Sequence, residues 1–477
     1  METGMMRPAL LLPEMLLAGG ALAALLGGSF LPRHRQWLIR ILTVGVLAGM
    51  IVAAAVRLTA PATTAFDGSF AVDTATGVAR ILAGTGTLLV LVLAADEIAG
   101  TARESETYAL LLFATAGAVL LAGADDLLVL AVGFLLASIP LYALIGLAGT
   151  AGGAEAAMKT YFLGALFGIV LLSGVTVLTG LAGTTSYAEL AGRLPETPRA
   201  AVTVAAVAVI AGLMFKAGGV PAHFWVPDAA EGSTALTATF LTTVPKIGAL
   251  VAVHRIVGVL PEATRWPVVV AALAVASMTL GNLAAYWQSD PRRLLGWSTV
   301  SQVGFLLVPV VVADRSDLAL PSLLVYLTGY TVTNVAAFAV TAALPDHRDL
   351  ADWRGLAAGR PWLAAALLVA LLGLVGTPPT GVFVGKLTTA SAAWDGGYAW
   401  LAVVAVGNSV VSLFYYLRWI SPAFRAAGAE GPAGRGARIR AGAGGRAWSA
   451  RIAVTAAVLS LVVGVGAGLL WAVVAMA

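Results

Sequence analysis

Run after run of about twenty apolar residues, bounded by Pro, Gly and charge, leaves this chain few ways to fold. Backbone N–H and C=O groups find no water inside a bilayer, so only helices and closed barrels satisfy themselves there. These runs are too long for barrel strands. They predict an all-α polytopic membrane protein of about fourteen transmembrane helices, over 9–30, 38–57, 75–98, 107–123, 126–148, 158–182, 200–222, 234–259, 267–287, 294–313, 319–343, 362–390, 398–420 and 452–476. Composition agrees: 60% of the 477 residues are hydrophobic and only 11% charged, against about 25% charged in soluble domains. Arg7 ahead of the apolar run from Ala9 to Leu26 imitates a secretion signal. The run is long for that role and lacks a small-x-small cleavage site, so it reads as a first span.

Arginine placement predicts the orientation. One set of alternate connections holds Arg33, Arg35, Arg103, Arg292, Arg293, Arg348, Arg354 and Arg360, and ends with a Gly/Arg-rich linker over 421–451. The other set is poorer, so the positive-inside rule makes the first set cytoplasmic and turns both termini outward. The net charge of +4 is spread over these flanking loops and gives no nucleic-acid signal. Cysteine is absent, which excludes disulfides, thiolate metal sites and cysteine-held iron–sulfur clusters within the chain. Four histidines at unrelated spacings suggest neither a haem nor a metal site, so redox chemistry is expected in a partner.

Only four residues are lysine, and three of them, Lys216, Lys246 and Lys386, fall inside segments fit for lipid. A charge at the bilayer centre costs about 2.5–3.5 kcal/mol on the mildest scale. Arginine keeps its proton at any working pH, whereas an amine taken out of water can exchange one. The three lysines are therefore candidates for a proton relay, with His223 as a further candidate because imidazole titrates near neutrality. Lys159 reads as a helix-start charge that pairs with Glu155 four residues before it. Arg292–Arg293 reads as a headgroup anchor or a contact with a neighbouring subunit.

Two segments are interrupted: Gly218–Gly219 and Pro221 follow Lys216, and Pro378–Pro379 precedes Lys386. Interrupted helices in two halves suggest inverted repeats, here segments 4–8 and 9–13, with ion sites near the midplane. The differing order of proline and lysine in the two halves weakens that reading. The organisation expected is N-terminal helices over 1–123, a core over 124–420, a cytoplasmic linker over 421–451 and a last helix over 452–477.

Six blocks in order resemble the subunit N family of proton-pumping NADH:quinone oxidoreductase (respiratory complex I), among its antiporter-like membrane subunits. They are AEAAMKTYFLGAL around Lys159, FKAGGVPAHFWVPDAAEG around Lys216, TVPKIGAL around Lys246, GNLAAYWQSDPRRLLGWSTVSQVGF from Gly281, GTPPTGVFVGKL around Lys386, and NSVVSLFYYLR ending at Arg418. The resemblance implies a subunit of a translocase that moves protons, with Lys216 as the central lysine, Lys246 as relay and Lys386 on the exit side. It implies further membrane-arm subunits as partners in a bacterial plasma membrane, with quinone, flavin and iron–sulfur clusters held by those partners and no redox site in this chain. Gly133, Ser138, Pro140, Leu141 and Tyr142 fall in register with the family's fifth helix, which puts Leu135 where the family has a glutamate facing the central lysine. Asp125, Asp126, Glu155, Asp228 and Glu231 are the nearest substitutes in sequence, and Gln302 stands where the family often has histidine. Two other readings stay open: a multi-subunit cation/proton antiporter or a ferredoxin- or deazaflavin-driven relative, and a non-pumping structural subunit.

Overall fold

The computed structural model describes residues 7–426 and 446–475; most of the expected 421–451 linker lies outside the described residues. Helices run in chain order as α1 (Leu12–Phe30), α2 (Trp37–Arg57), α3 (Thr74–Ile98), α4 (Glu104–Gly123), α5 (Leu127–Gly146), α6 (Ala151–Ala182), α7 (Tyr187–Arg193), α8 (Arg199–Ala217), α9 (Trp225–Gly232) and α10 (Ala235–Val257). They continue as α11 (Trp266–Tyr286), α12 (Pro291–Val311), α13 (Ala319–Ala343), α14 (Leu356–Gly359), α15 (Pro361–Val375), α16 (Gly381–Asp395), α17 (Ala399–Phe424), α18 (Ala447–Val465) and α19 (Ala467–Val474). Thirteen of the segments are long and apolar enough to cross a membrane. The interrupted pair α15–α16 supplies the fourteenth crossing that the apolar pattern predicts.

Three departures from the apolar pattern have plain causes. The connection between α2 and α3 folds into a small antiparallel hairpin, β1 (Thr63–Ala65) on β2 (Phe70–Val72). Its turn uses positive φ at Phe66, Asp67 and Gly68, a device that a search for lipid-spanning runs does not detect. The α6 helix starts about two turns before the expected 158, because Thr150 caps Gly153 N–H at 3.0 Å and the Ala-rich stretch after it is helical outside lipid. The last segment is divided at Gly466 into α18 and α19.

The interior is built from α10, α12 and α13. The most apolar stretches of α10 and α13 are wholly buried within the protein, whereas those of α1, α2, α6, α17 and α18 are one-third buried. Helices freed from facing lipid can carry polar side chains, provided each finds a partner. Tyr330 on α13 donates to Thr242 O on α10 at 2.7 Å, and Asn334 Nδ2 donates to the hydroxyls of Thr242 and Thr243 at 3.0 and 2.9 Å. Tyr326 on α13 donates to Gln302 Oε1 on α12 at 2.7 Å. Small residues let backbones approach: a Cβ on Gly248 of α10 would overlap the carbonyl of Ala118 on α4.

The C-terminal helix α18 closes one flank of this core. Ser449, in its first turn, gives its backbone N–H to Asp96 at the end of α3 at 2.7 Å and its hydroxyl to the same oxygen at 3.0 Å. Farther along, a Cβ on Gly464 would overlap the carbonyl oxygen of Pro379, between α15 and α16. Gly464→Val should therefore prevent α18 from seating, with a loss of folded protein in membranes measured by quantitative immunoblot. Gly468→Val, whose Cβ would meet no atom within 4 Å, should accumulate as wild type.

Candidate functional site: two interrupted helices and three lysines

Both interruptions use one backbone device. The α8 helix ends where Gly218 takes φ +80°, and the N–H groups of Gly218 and Gly219 both return to Met214 O, at 2.8 and 2.9 Å. The α15 helix ends where Gly376 takes φ +93°, and the N–H groups of Gly376 and Thr377 both return to Leu372 O at 3.1 Å. A left-handed glycine serves each helix end because a Cβ disfavours that conformation. Three residues after each glycine comes a cis proline, Pro221 and Pro379. The two breaks thus share a register that the order of prolines and lysines in the sequence conceals.

The lysines meet these breaks differently. Lys386, half-buried on α16, donates from Nζ to Leu374 O at 3.2 Å, to Val375 O at 2.9 Å and to Ser409 Oγ at 3.1 Å. Its three donors have three acceptors, two of them carbonyls at the negative end of the α15 dipole. The ammonium also lies 3.8 Å from the centre of the Phe305 ring. Gln302 Nε2 shares Leu374 O at 2.9 Å, which joins the second break to the interior polar chain of α12 and α13.

Lys216, in the last turn of α8, is 1% exposed, and Lys246, at mid-length of α10, is 0% exposed. Among the described residues neither Nζ has a hydrogen-bond partner. Lys246 Nζ lies 3.0 Å from where a Cβ on Gly218 would stand and 5.6 Å from the Trp225 ring. Lys216 Nζ lies 5.3 Å from the Phe134 ring and 5.9 Å from that of Phe215. The two amines therefore converge on the first break against aromatic faces, which attract a cation without binding its protons. Trp225 is held there by its indole N–H, which donates to Phe215 O at 3.1 Å.

Phe134, and not its neighbour, is the α5 residue that faces Lys216. Leu135 is 42% exposed on the outer side of α5. None of the five nearby acids pairs with Lys216 among the described residues. Asp126 caps α5, Asp125 lies between α4 and α5, and Glu155, Asp228 and Glu231 are engaged elsewhere. His223, 4% exposed in the first break, turns toward α12, its ring 5.4 Å from that of Trp297, and its Nδ1 has no hydrogen-bond partner among the described residues.

A cavity of about 780 Å³ opens at the arginine-rich end of the bundle. Lys159 Nζ pairs with Glu155 at 2.7 Å, as its four-residue spacing predicts, and also with Asp228 on α9 at 2.9 Å. Arg293 pairs with Asp228 and Glu231, both at 2.7 Å, and Arg292 donates to Ser233 O at 2.8 Å. The expectation of a headgroup anchor at Arg292–Arg293 is corrected: both side chains turn inward and hold α9, the far half of the first interrupted helix. Sequence reasoning missed Glu97, Ser409 and the Thr242–Thr243–Asn334 group. A glutamate in the last turn of an apolar helix, and hydroxyls repeating at three to four residues on α10, were the available signals.

Known proteins resemble this chain over nearly its whole length. Residues 124–412 match the family described as NADH:quinone oxidoreductase/Mrp antiporter, TM. The chain is 61% identical over 469 residues to NADH-quinone oxidoreductase subunit N of Mycobacterium sp. (strain JLS), covering 98% of each. It is 48% identical to NADH-quinone oxidoreductase subunit N 1 of Streptomyces griseus, covering 97% of this chain and 96% of that one. A chain of respiratory complex I from Thermus thermophilus superposes with a TM-score of 0.82 at 30% identity, covering 97% of this chain and 99% of that one. A chain of the Mrp complex from Dietzia sp. shares the fold at a TM-score of 0.85 and 24% identity, covering 98% and 96%.

The lysine packing around the left-handed glycines gives a test. A Cβ on Gly376 would lie 2.8 Å from Lys386 Cδ, and one on Gly218 would lie 2.7 Å from Val226 Cγ2. Added to the cost of a left-handed alanine, Gly218→Ala or Gly376→Ala should destabilise by about 1–3 kcal/mol. The check is the thermal unfolding midpoint in detergent, which should fall for both and stay put for Gly180→Ala on α6, where the Cβ has open space.

Proposed function

The chain belongs to the NADH:quinone oxidoreductase/Mrp antiporter membrane family, as a subunit N of NADH-quinone oxidoreductase, and we propose that within that complex it translocates protons through a file of buried lysines and water. The observation that carries this reading is the pair of fully buried amines at the first break, Lys216 and Lys246, with no acceptor among the described residues. A lysine kept in such a place costs stability and is retained for what it does. An amine without a fixed acceptor can take a proton from mobile water and give it back. Two such amines near one another repel when both are charged, so protonating one favours release from the other.

The path continues toward the second break. Tyr330 joins Thr242 O on α10 to Thr299 on α12, Tyr326 bonds Gln302 on the same α12, and Gln302 shares the Leu374 carbonyl with Lys386. Lys386 differs from the other two in that its proton is held by three acceptors, which suits the terminal station of a relay. His223 stands beside the route and is a secondary candidate. In this reading the arginine-rich end with the cavity faces the cytoplasm and both termini face outward, in a bacterial plasma membrane. Neighbouring membrane-arm subunits adjoin the chain, and the quinone, flavin and iron–sulfur chemistry belongs to partner subunits. A conformational or charge change at a neighbour supplies the driving force.

One observation favours a second reading, a subunit that assembles the arm without pumping: Lys216 faces Phe134 where a carboxylate partner would stabilise its charge. Proton uptake into inverted membrane vesicles separates the two. If the relay operates, Lys216→Ala abolishes this subunit's share of the gradient while the complex still assembles and reduces quinone. Normal pumping in Lys216→Ala with full quinone reduction would assign the chain to assembly.

A further inference from the structure

Two adjacent acids end α3, and they are employed differently. The carboxylate of Asp96 is committed to the N-terminus of α18 through Ser449. Glu97 lines the 780 Å³ cavity. Its Oε2 accepts the N–H of Leu236 in the first turn of α10 at 3.3 Å, while its Oε1 is buried without a hydrogen-bond partner among the described residues. A carboxylate oxygen in that position is free to bind a proton. No cation forms an ion pair with it among the described residues: Lys159, Arg293 and Arg348 are paired with Asp228, Glu231 or Asp290, Arg292 bonds Ser233 O, and Arg446 bonds Ala342 O and acts on Glu97 only through its charge, while Thr234 also approaches the carboxylate.

From this carboxylate a row of hydroxyls leads along α10. At 100° per residue, Thr239, Thr242 and Thr243 all lie within about 60° of Lys246 around the helix axis. Each of the three is 0% exposed. Successive rungs are about 4.5–6 Å apart along the axis, a gap that one bridging water spans. The whole climb from Leu236 to Lys246 is about 15 Å. Thr239 gives its hydrogen only to Ala235 O, one turn back, so its oxygen lone pairs remain available. Asn334 steadies the oxygens of Thr242 and Thr243 from α13.

We propose that Glu97 is the carboxylate through which protons pass from the cavity into the α10 row and so to Lys246; this rests on the reading of Lys246 as a relay. Oε1 takes a proton from a hydronium in the cavity and leaves water. That O–H bond then breaks toward a bridging water, each hydroxyl accepts one proton as it donates another, and a new N–H bond forms on Lys246. Every intermediate hydroxyl and water ends with the number of protons it began with, and Glu97 returns to carboxylate. No co-reactant is needed.

The test is proton uptake by inverted vesicles carrying the intact complex, normalised to its amount. Glu97→Gln keeps an oxygen for Leu236 N–H but cannot bind and release a proton, and should slow uptake through this subunit at least fivefold. Glu97→Asp should recover a part of the rate. Thr239→Val, which removes one rung and no tertiary hydrogen bond, should slow it severalfold, and it decides the matter if Glu97→Gln fails to accumulate. Lys246→Ala run alongside separates the two ideas. If Lys246→Ala abolishes uptake while Glu97→Gln and Thr239→Val match wild type, Glu97 is only a helix cap and the proposal is overturned. If Lys246→Ala itself pumps normally, the relay reading falls and Glu97 falls with it.

Discussion

Every peptide group at membrane depth must find its partner inside the protein, and the two interruptions exist because the surrounding helices meet that demand. Each break frees carbonyls that no lipid can satisfy. At the second break, Lys386 and Gln302 supply the donors for Leu374 and Val375. At the first, Trp225 supplies one for Phe215, and Ser277 accepts the N–H of Val220 at 3.0 Å. Polar side chains are therefore needed wherever the helices are broken, and those same side chains are the ones on which the proposed proton path relies. Satisfying the backbone and providing a path are one requirement met once.

The architecture was largely legible in the sequence because lipid imposes a length and a composition that can be read residue by residue. The apolar runs located most helices to within a few residues, the early start of α6 excepted, and the three lysines stood out because no solvated surface could explain them. What stayed hidden was tertiary. Lys216 is the last residue but one of its helix, which by sequence alone is compatible with a side chain reaching water; the packing of Phe134, Phe215 and Trp225 instead buries it. Arg292–Arg293 follows a helix start in the manner of a headgroup anchor, and only the position of α9 shows that Arg293 faces acids and Arg292 the Ser233 carbonyl within the protein. The shared register of the two breaks was concealed because one lysine precedes its glycine by two residues and the other follows by ten.

The contrast between the breaks is chemical as well as positional. Two amines at the first have aromatic faces and no acceptor, while the single amine at the second has a full set. A carboxylate opposite Lys216 would make the halves more alike by giving the first a fixed counter-charge. Phe134 offers only the weaker attraction of a ring quadrupole, so the neighbouring amine becomes the dominant electrostatic influence on Lys216. In this chain the first break holds two amines against rings, and the second holds one amine bonded to a helix end.

The contact between Gly464 and the Pro379 carbonyl links the order of synthesis to the assembly of the second break. Translation proceeds from α1 onward, so α15, α16 and α17 enter the membrane before α18 exists. Until residue 464 has been inserted, the Pro379 region faces lipid or whatever chaperone covers it. The nascent chain thus holds the second break uncovered on one side for the time needed to make α18, and completion of α18, more than arrival of any earlier helix, closes that side of the break.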